Sequence, residues 1–230
     1  MTSAQTTTFK FINRGQPWTI VLIPGWGSDH RIFEALDLEY NYLIVINFVP
    51  ESFQENLIAA LKEHDLNKVS LLGWSLGGFV ACEFSAKYDT CVDELILISI
   101  RKKYEPVKLK QIKEYLNQNK KGYLHQFYNQ CFHDSKLRSY FKKNYAKEYY
   151  NDFQLDVLIN GIDYLSKAEI KTESLKKIKK IKIIHGEFDS IAPLDEAKKI
   201  KDSLEQAEFI VVDGAGHMPF LRKDFSKYIK

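Results

Sequence analysis

A mostly parallel α/β sheet covered by helices is the fold class this sequence predicts, and three observations predict it. Short apolar runs rich in β-branched residues, such as NYLIVIN at residues 41–47 and ELILIS at residues 94–99, read as strands buried on both faces. Amphipathic runs of helical period separate such strands, the alternation expected of a parallel sheet. The 230 residues, 45% of them hydrophobic, suffice for one large core and exclude wholesale disorder.

Taken in order, residues 7–13 and 18–23 read as strands separated by an Arg14-Gly15 turn, and residues 41–47 follow as a buried strand. A helix is expected over 52–65, opened by a Ser52-x-x-Glu55 capping box and carrying Leu57, Ile58 and Leu61 on one face. Residues 69–73 form the third buried strand, a helix runs from Leu76 to about Tyr88, and residues 94–99 form the fourth buried strand. From Arg101 to about Lys179 the sequence is helical in period, without a convincing strand. Strand logic resumes at residues 181–185. A helix from Pro193, a last strand over 209–213 and a closing helix from about Pro219 to Lys230 complete the chain. The expected division is therefore a sheet-and-helix core (1–100 and 180–230) with a helical insertion (101–179) after the fourth buried strand.

The three cysteines, Cys82, Cys91 and Cys131, have neither zinc-knuckle nor CxxC spacing, so no metal site or disulfide framework is expected. The polar start, Met1 to Thr8, lacks the pattern of a signal peptide, and no apolar run reaches membrane-spanning length. A cytoplasmic monomer without membrane attachment is expected.

The residues that carry chemistry begin with Gly73-Trp74-Ser75-Leu76-Gly77-Gly78, placed where a buried strand must turn into a helix. G-x-S-x-G there is a nucleophile elbow: the tight turn lifts the Ser75 hydroxyl above the sheet and sets the Leu76 N–H at a helix N-terminus, facing a developing oxyanion. A serine needs a base held by a carboxylate, in the chain order Ser, acid, His. His30 and His64 precede the serine, His125 and His133 lie in the insertion, and His185 ends a strand. His217, in a glycine-rich loop after the last strand, fits the base. Asp189, just past the preceding strand, fits the acid, with Glu187 and Asp213 as competitors. The loop Pro24-Gly25-Trp26-Gly27 follows an early strand, and its Trp26 N–H is the candidate second oxyanion donor. The Trp26 and Trp74 rings either wall the acyl site or simply belong to the core.

Pro-Gly-Trp-Gly, Gly-Trp-Ser-Leu-Gly-Gly, Gly-x-x-Asp-x-x-x-Pro and Gly-x-Gly-His together resemble the α/β-hydrolase superfamily. Within it they look most like the carboxylesterases that demethylate pimeloyl-acyl-carrier-protein methyl ester in biotin synthesis. Pro24 departs from that pattern, which commonly has His there, so the loop geometry is open although the triad is not. The resemblance implies an α/β-hydrolase fold in which the helical insertion is a lid that chooses the substrate. It also implies a serine esterase with Ser75 as nucleophile, His217 as base and Asp189 as acid, with no cofactor and no metal. Two other readings stay open: another hydrolase of this fold acting on a small ester, a thioester or a C–C bond, and a non-catalytic binding protein with a vestigial triad. The intact elbow and full triad order speak against the latter.

The formal net charge of +3 conceals a split. Residues 101–150 hold 13 Lys/Arg against 4 Asp/Glu, while the rest of the chain is mildly acidic. The insertion is also aromatic, so one reading is an amphipathic cover with solvated lysines. The sharper reading is a docking face for acidic acyl carrier protein, steered by Lys102, Lys103, Lys108, Lys110, Lys113, Arg138, Lys142, Lys143 and Lys147. No nucleic-acid-binding module accompanies the charge, so nucleic acid is not an expected partner.

Overall fold

A computed structural model describes residues 6–229, so the first five residues of the expected polar start, and Lys230, lie outside the described residues. Seven strands form one sheet: β1 (Thr8–Ile12), β2 (Thr19–Ile23), β3 (Asn41–Asn47), β4 (Val69–Trp74), β5 (Val92–Ile98), β6 (Ile181–Gly186) and β7 (Ala207–Val212). Their order is β1-β3-β2-β4-β5-β6-β7. Among the described residues, the β1–β3 pair is the one antiparallel pair of this sheet. The strands stand where the apolar runs place them, with β5 and β7 each beginning two residues earlier than expected. β2, β4 and β6 are buried at every position, as continuous apolar strands between two helical layers must be.

Helices α1 (Phe53–Glu63), α2 (Leu76–Lys87) and, after β6, Leu194–Asp202 belong to the sheet framework. α2 packs on β4 and β5. Its buried residues circle the helix, so it is a core helix and not an amphipathic surface one. The capping box at Ser52 does not form. A 3-10 turn over Pro50–Ser52 leads straight into α1 and leaves Ser52 in the helical region, without the extended backbone a cap needs. Its hydroxyl accepts instead from the Thr7 N–H at 2.8 Å.

The segment between β5 and β6 is helical: α3 (Pro106–Gln130), α4 (Ser135–Phe141), α5 (Lys147–Asp152), α6 (Leu155–Leu165) and α7 (Thr172–Leu175), with a π-helical turn over Lys142–Ala146. Leu194–Asp202 is thus α8. A break at Asn119 (φ −155°, ψ 80°) divides α3. The segment's two ends meet in a bridge between Lys103 and Glu169. Most of its aromatics turn inward: Tyr128, Phe141 and Tyr149 are fully buried, while Tyr115 and Tyr140 remain exposed.

The closing helix expected after Pro219 is absent. Two 3-10 turns, Pro219–Leu221 and Phe225–Tyr228, stand there, separated by an extended Arg222. The Arg222 guanidinium donates to the Asp213 carbonyl at 2.7 Å, which fixes the break, while Phe220 and Phe225 are buried on either side.

Candidate active site

The strand order reverses its direction of growth between β2 and β4, and there the loops at the carboxyl ends of adjacent parallel strands diverge to leave a crevice. In register, Ile23 pairs with Gly73, so the Pro24–Gly27 loop and Ser75 leave the sheet side by side. Ser75 has φ 53° and ψ −115°, a conformation that an L-residue adopts only when its surroundings impose it. The imposition is visible at the glycines. A Cβ on Gly73 would lie 2.5 Å from the Gly77 carbonyl oxygen, and one on Gly77 would lie 2.4 Å from that of Ile23. The Leu76 N–H, in the first turn of α2, has no acceptor within the helix.

The three residues expected from chain order and loop position come together. His217 Nε2 lies 3.0 Å from Ser75 Oγ, and His217 Nδ1 lies 2.8 Å from Asp189 Oδ2. All three side chains are buried. A carboxylate only accepts, so Nδ1 carries the imidazole proton and Nε2 is free to accept from the serine hydroxyl. Asp189 Oδ1 accepts from the Ile191 and Ala192 N–H groups, both at 2.9 Å. Burial pushes the Asp189 carboxyl up, but His217, through its charge when protonated and its hydrogen bond, together with the Ala192 N–H, outweighs it and holds the carboxyl below the usual carboxylate range. The competitors stand elsewhere: the Glu187 carboxylate accepts from the Gly214 N–H, and Asp213 is exposed at the surface.

Trp74 stands apart from the expectation of a wall for the acyl site. It is 1% exposed, and its Nε1 donates to the His217 backbone carbonyl at 2.8 Å, so it holds the histidine loop. The Trp26 indole donates to the Leu158 carbonyl at 2.9 Å and packs edge-on against Phe127. It is therefore where the early loop and the helical segment meet. A cleft of about 920 Å³ opens beside Trp26 and Leu76, between the β2 loop, the residues after β3 and α6. Ser75 lies outside its lining, so the cleft reaches the site from the side of the two candidate oxyanion amides.

Three features escaped sequence reasoning. The His217 N–H donates to the Cys131 carbonyl at 2.8 Å, so the end of α3 supports the histidine loop through backbone alone. Tyr104, at the start of the helical segment, neighbours Ser75, and burial pushes its phenol up to about 12. His185 lies against Asp189. Its only sequence signal is a histidine ending the mostly apolar run IKIIH. Of the nine basic residues proposed for docking, Lys113 pairs with Asp163 at 2.7 Å, and Arg138 is half-buried against the Phe132 carbonyl. The other seven are exposed. Among the described residues no cluster of three or more His, Cys, Asp or Glu is arranged to hold a metal ion, and no helix is long and apolar enough to cross a membrane.

The elbow and the crossing of strands define a class, and the family comparison names it: residues 47–224 match the model of the alpha/beta hydrolase fold, and the chain belongs to that family. A pimeloyl-[acyl-carrier protein] methyl ester esterase of Legionella pneumophila is 25% identical over 229 residues, covering 90% of each chain. Its counterpart in Yersinia pseudotuberculosis is 25% identical over 243 residues, covering 91% of each. Among solved structures, an esterase from Exiguobacterium antarcticum superposes with a TM-score of 0.82 at 19% identity, covering 97% of this chain and 94% of the other. At that identity the likeness speaks for the fold.

Proposed function

We propose that the protein is a serine carboxylesterase that hydrolyses an acyl methyl ester, with pimeloyl-acyl-carrier-protein methyl ester as substrate and methanol and the free pimeloyl carboxylate as products. The observation that carries the reading is the continuous Ser75–His217–Asp189 relay, with heavy-atom distances of 3.0 and 2.8 Å. Ser75 Oγ attacks the ester carbonyl carbon while His217 Nε2 takes its proton. The Leu76 and Trp26 amides hold the oxyanion. Collapse breaks the bond to the alkoxy oxygen, which leaves as methanol with the proton from His217. Water, deprotonated by His217, then attacks the acyl-serine and releases the acid. Asp189 orients the imidazole and stabilises its charged form. No cofactor takes part.

The substrate assignment draws on the names of the relatives, which are 21–26% identical over about nine-tenths of the chain. In this reading residues 101–179 are the lid, the cleft beside Trp26 takes the acyl chain, and the seven exposed cations meet the acidic carrier in the cytoplasm. One observation favours a second reading, a small free ester: no Lys or Arg lines the cleft among the described residues, so a carrier's phosphate finds no partner inside it. Purified protein given pimeloyl-carrier methyl ester and the matching free methyl ester separates the two. Preference for the carrier form, with rescue of a biotin auxotroph lacking its demethylase, supports the first reading. Equal or better turnover of the free ester, without rescue, supports the second.

A further inference from the structure

His185 ends β6 with its side chain fully buried, and the reaction steps above make no use of it. Its Nε2 lies 2.7 Å from the Ala192 carbonyl oxygen. A carbonyl only accepts, so Nε2 carries a proton and donates it there. Nδ1 is buried and, among the described residues, has no hydrogen-bond partner, so a second proton there would find no acceptor. The ring is therefore a neutral imidazole, and burial, which favours the uncharged form, pushes its pKa down. Nε2 is also 3.5 Å from Asp189 Oδ2, too far to compete with the 2.8 Å bond that the same oxygen accepts from His217.

The contacts form a chain of dependence. His185 fixes the Ala192 carbonyl, the Ala192 N–H together with that of Ile191 fixes Asp189 Oδ1, and the orientation so imposed aims Oδ2 at His217. The groups around the imidazole are Asp189 on the loop after β6 and His217 on the loop after β7. A charged His185 would place a second cation on Asp189 and weaken its hold on the His217 imidazolium. A neutral one leaves that carboxylate to His217 alone.

We propose that His185 is a positioning residue for the triad: an uncharged N–H donor that pins the Asp189–Ala192 loop and thereby sets the acid's aim. It acts through Asp189 and touches no reacting atom. The inference rests on the esterase reading, and its test separates the two. Hydrolysis of a p-nitrophenyl ester, labelling of Ser75 by a fluorophosphonate and thermal melting are measured for wild type, His185→Gln, His185→Asn and His185→Leu. The Gln amide reaches the Ala192 carbonyl with an uncharged N–H donor, whereas the shorter Asn amide and the Leu side chain offer it none.

The expected result is a kcat lowered about 10- to 100-fold in His185→Asn and His185→Leu with KM little changed, slower fluorophosphonate labelling in both, and rescue to within about threefold of wild type in His185→Gln. If His185→Leu fails to fold, the Gln and Asn pair decides, since the two differ in reach and not in charge. Equal kcat in Gln and Asn variants of equal Tm overturns the positioning role, as does a Leu variant as active as wild type. Wild-type protein that neither hydrolyses the ester nor labels at Ser75 overturns the esterase reading itself.

Discussion

The sheet framework and the helical segment between β5 and β6 contribute to the same site by different means. The framework supplies side chains, each held by strict local geometry: a serine at positive φ between glycines that admit no Cβ, and a carboxylate locked by two backbone N–H groups. The helical segment contributes mostly support. The Cys131 carbonyl takes the His217 N–H, Tyr128 Oη donates to the Gly27 carbonyl at 2.6 Å, and Leu158 receives the Trp26 indole. The difference teaches that the proposed chemistry rests on framework side chains, whereas the fit between the two regions runs largely through backbone atoms and rings.

The largest test of that contrast is Ser75→Ala, which lowers kcat on a p-nitrophenyl ester by about 10⁴-fold or more while leaving Tm nearly unchanged. Comparable activity in the variant would move the chemistry away from the framework. Gly77→Ala is expected to act on the framework itself: its methyl group meets the Ile23 carbonyl, and the urea midpoint should report a loss of about 3 kcal/mol or more. Trp74→Phe keeps an aromatic ring but removes the indole N–H and its bond to the His217 carbonyl, so kcat should fall about tenfold with smaller change in KM.

Charge reversal of Lys142, Lys143 and Lys147 to Glu addresses the helical segment alone. It should slow a carrier-bound substrate severalfold at low salt and spare a p-nitrophenyl ester, with the difference shrinking as salt rises. Equal slowing of both substrates would mean that the segment supports the site and does not dock a carrier. The smallest effect concerns pH. His185 is buried uncharged, so the unfolded chain binds the additional proton once pH falls below the ordinary histidine value near 6.5. Wild-type Tm should therefore drop between about pH 7 and pH 5, and the drop should be shallower in His185→Gln. Asp189, held low, adds its own loss only at more acid pH, as its carboxyl takes up a proton.

The framework was legible because its rules are local. Apolar runs marked the strands, the glycines marked the turn, and chain order together with loop position pointed to His217 and Asp189 among six histidines and several acids. The capping box failed because a 3-10 turn already occupied the helix entrance, something no pattern at Ser52 and Glu55 could reveal. The closing helix failed because Arg222 found an acceptor at Asp213, nine residues back. The role of Trp74 stayed open in the sequence because its partner, the His217 carbonyl, lies 143 residues away. His185 and the Cys131 carbonyl were hidden for related reasons: one is a polar residue at the end of a mostly apolar strand, and the other contributes an atom that every residue possesses.

The Ser75–His217 hydrogen bond closes a loop of 142 residues, and everything between its ends must be in place before the two side chains can meet. Loop closure over that span is entropically costly, so contacts of this separation form late in folding. Recovery of ester hydrolysis after dilution from denaturant should accordingly lag behind recovery of helical circular dichroism. The enzymatic signal then serves as a clock for the last topological step of folding, one that spectroscopy of secondary structure does not register.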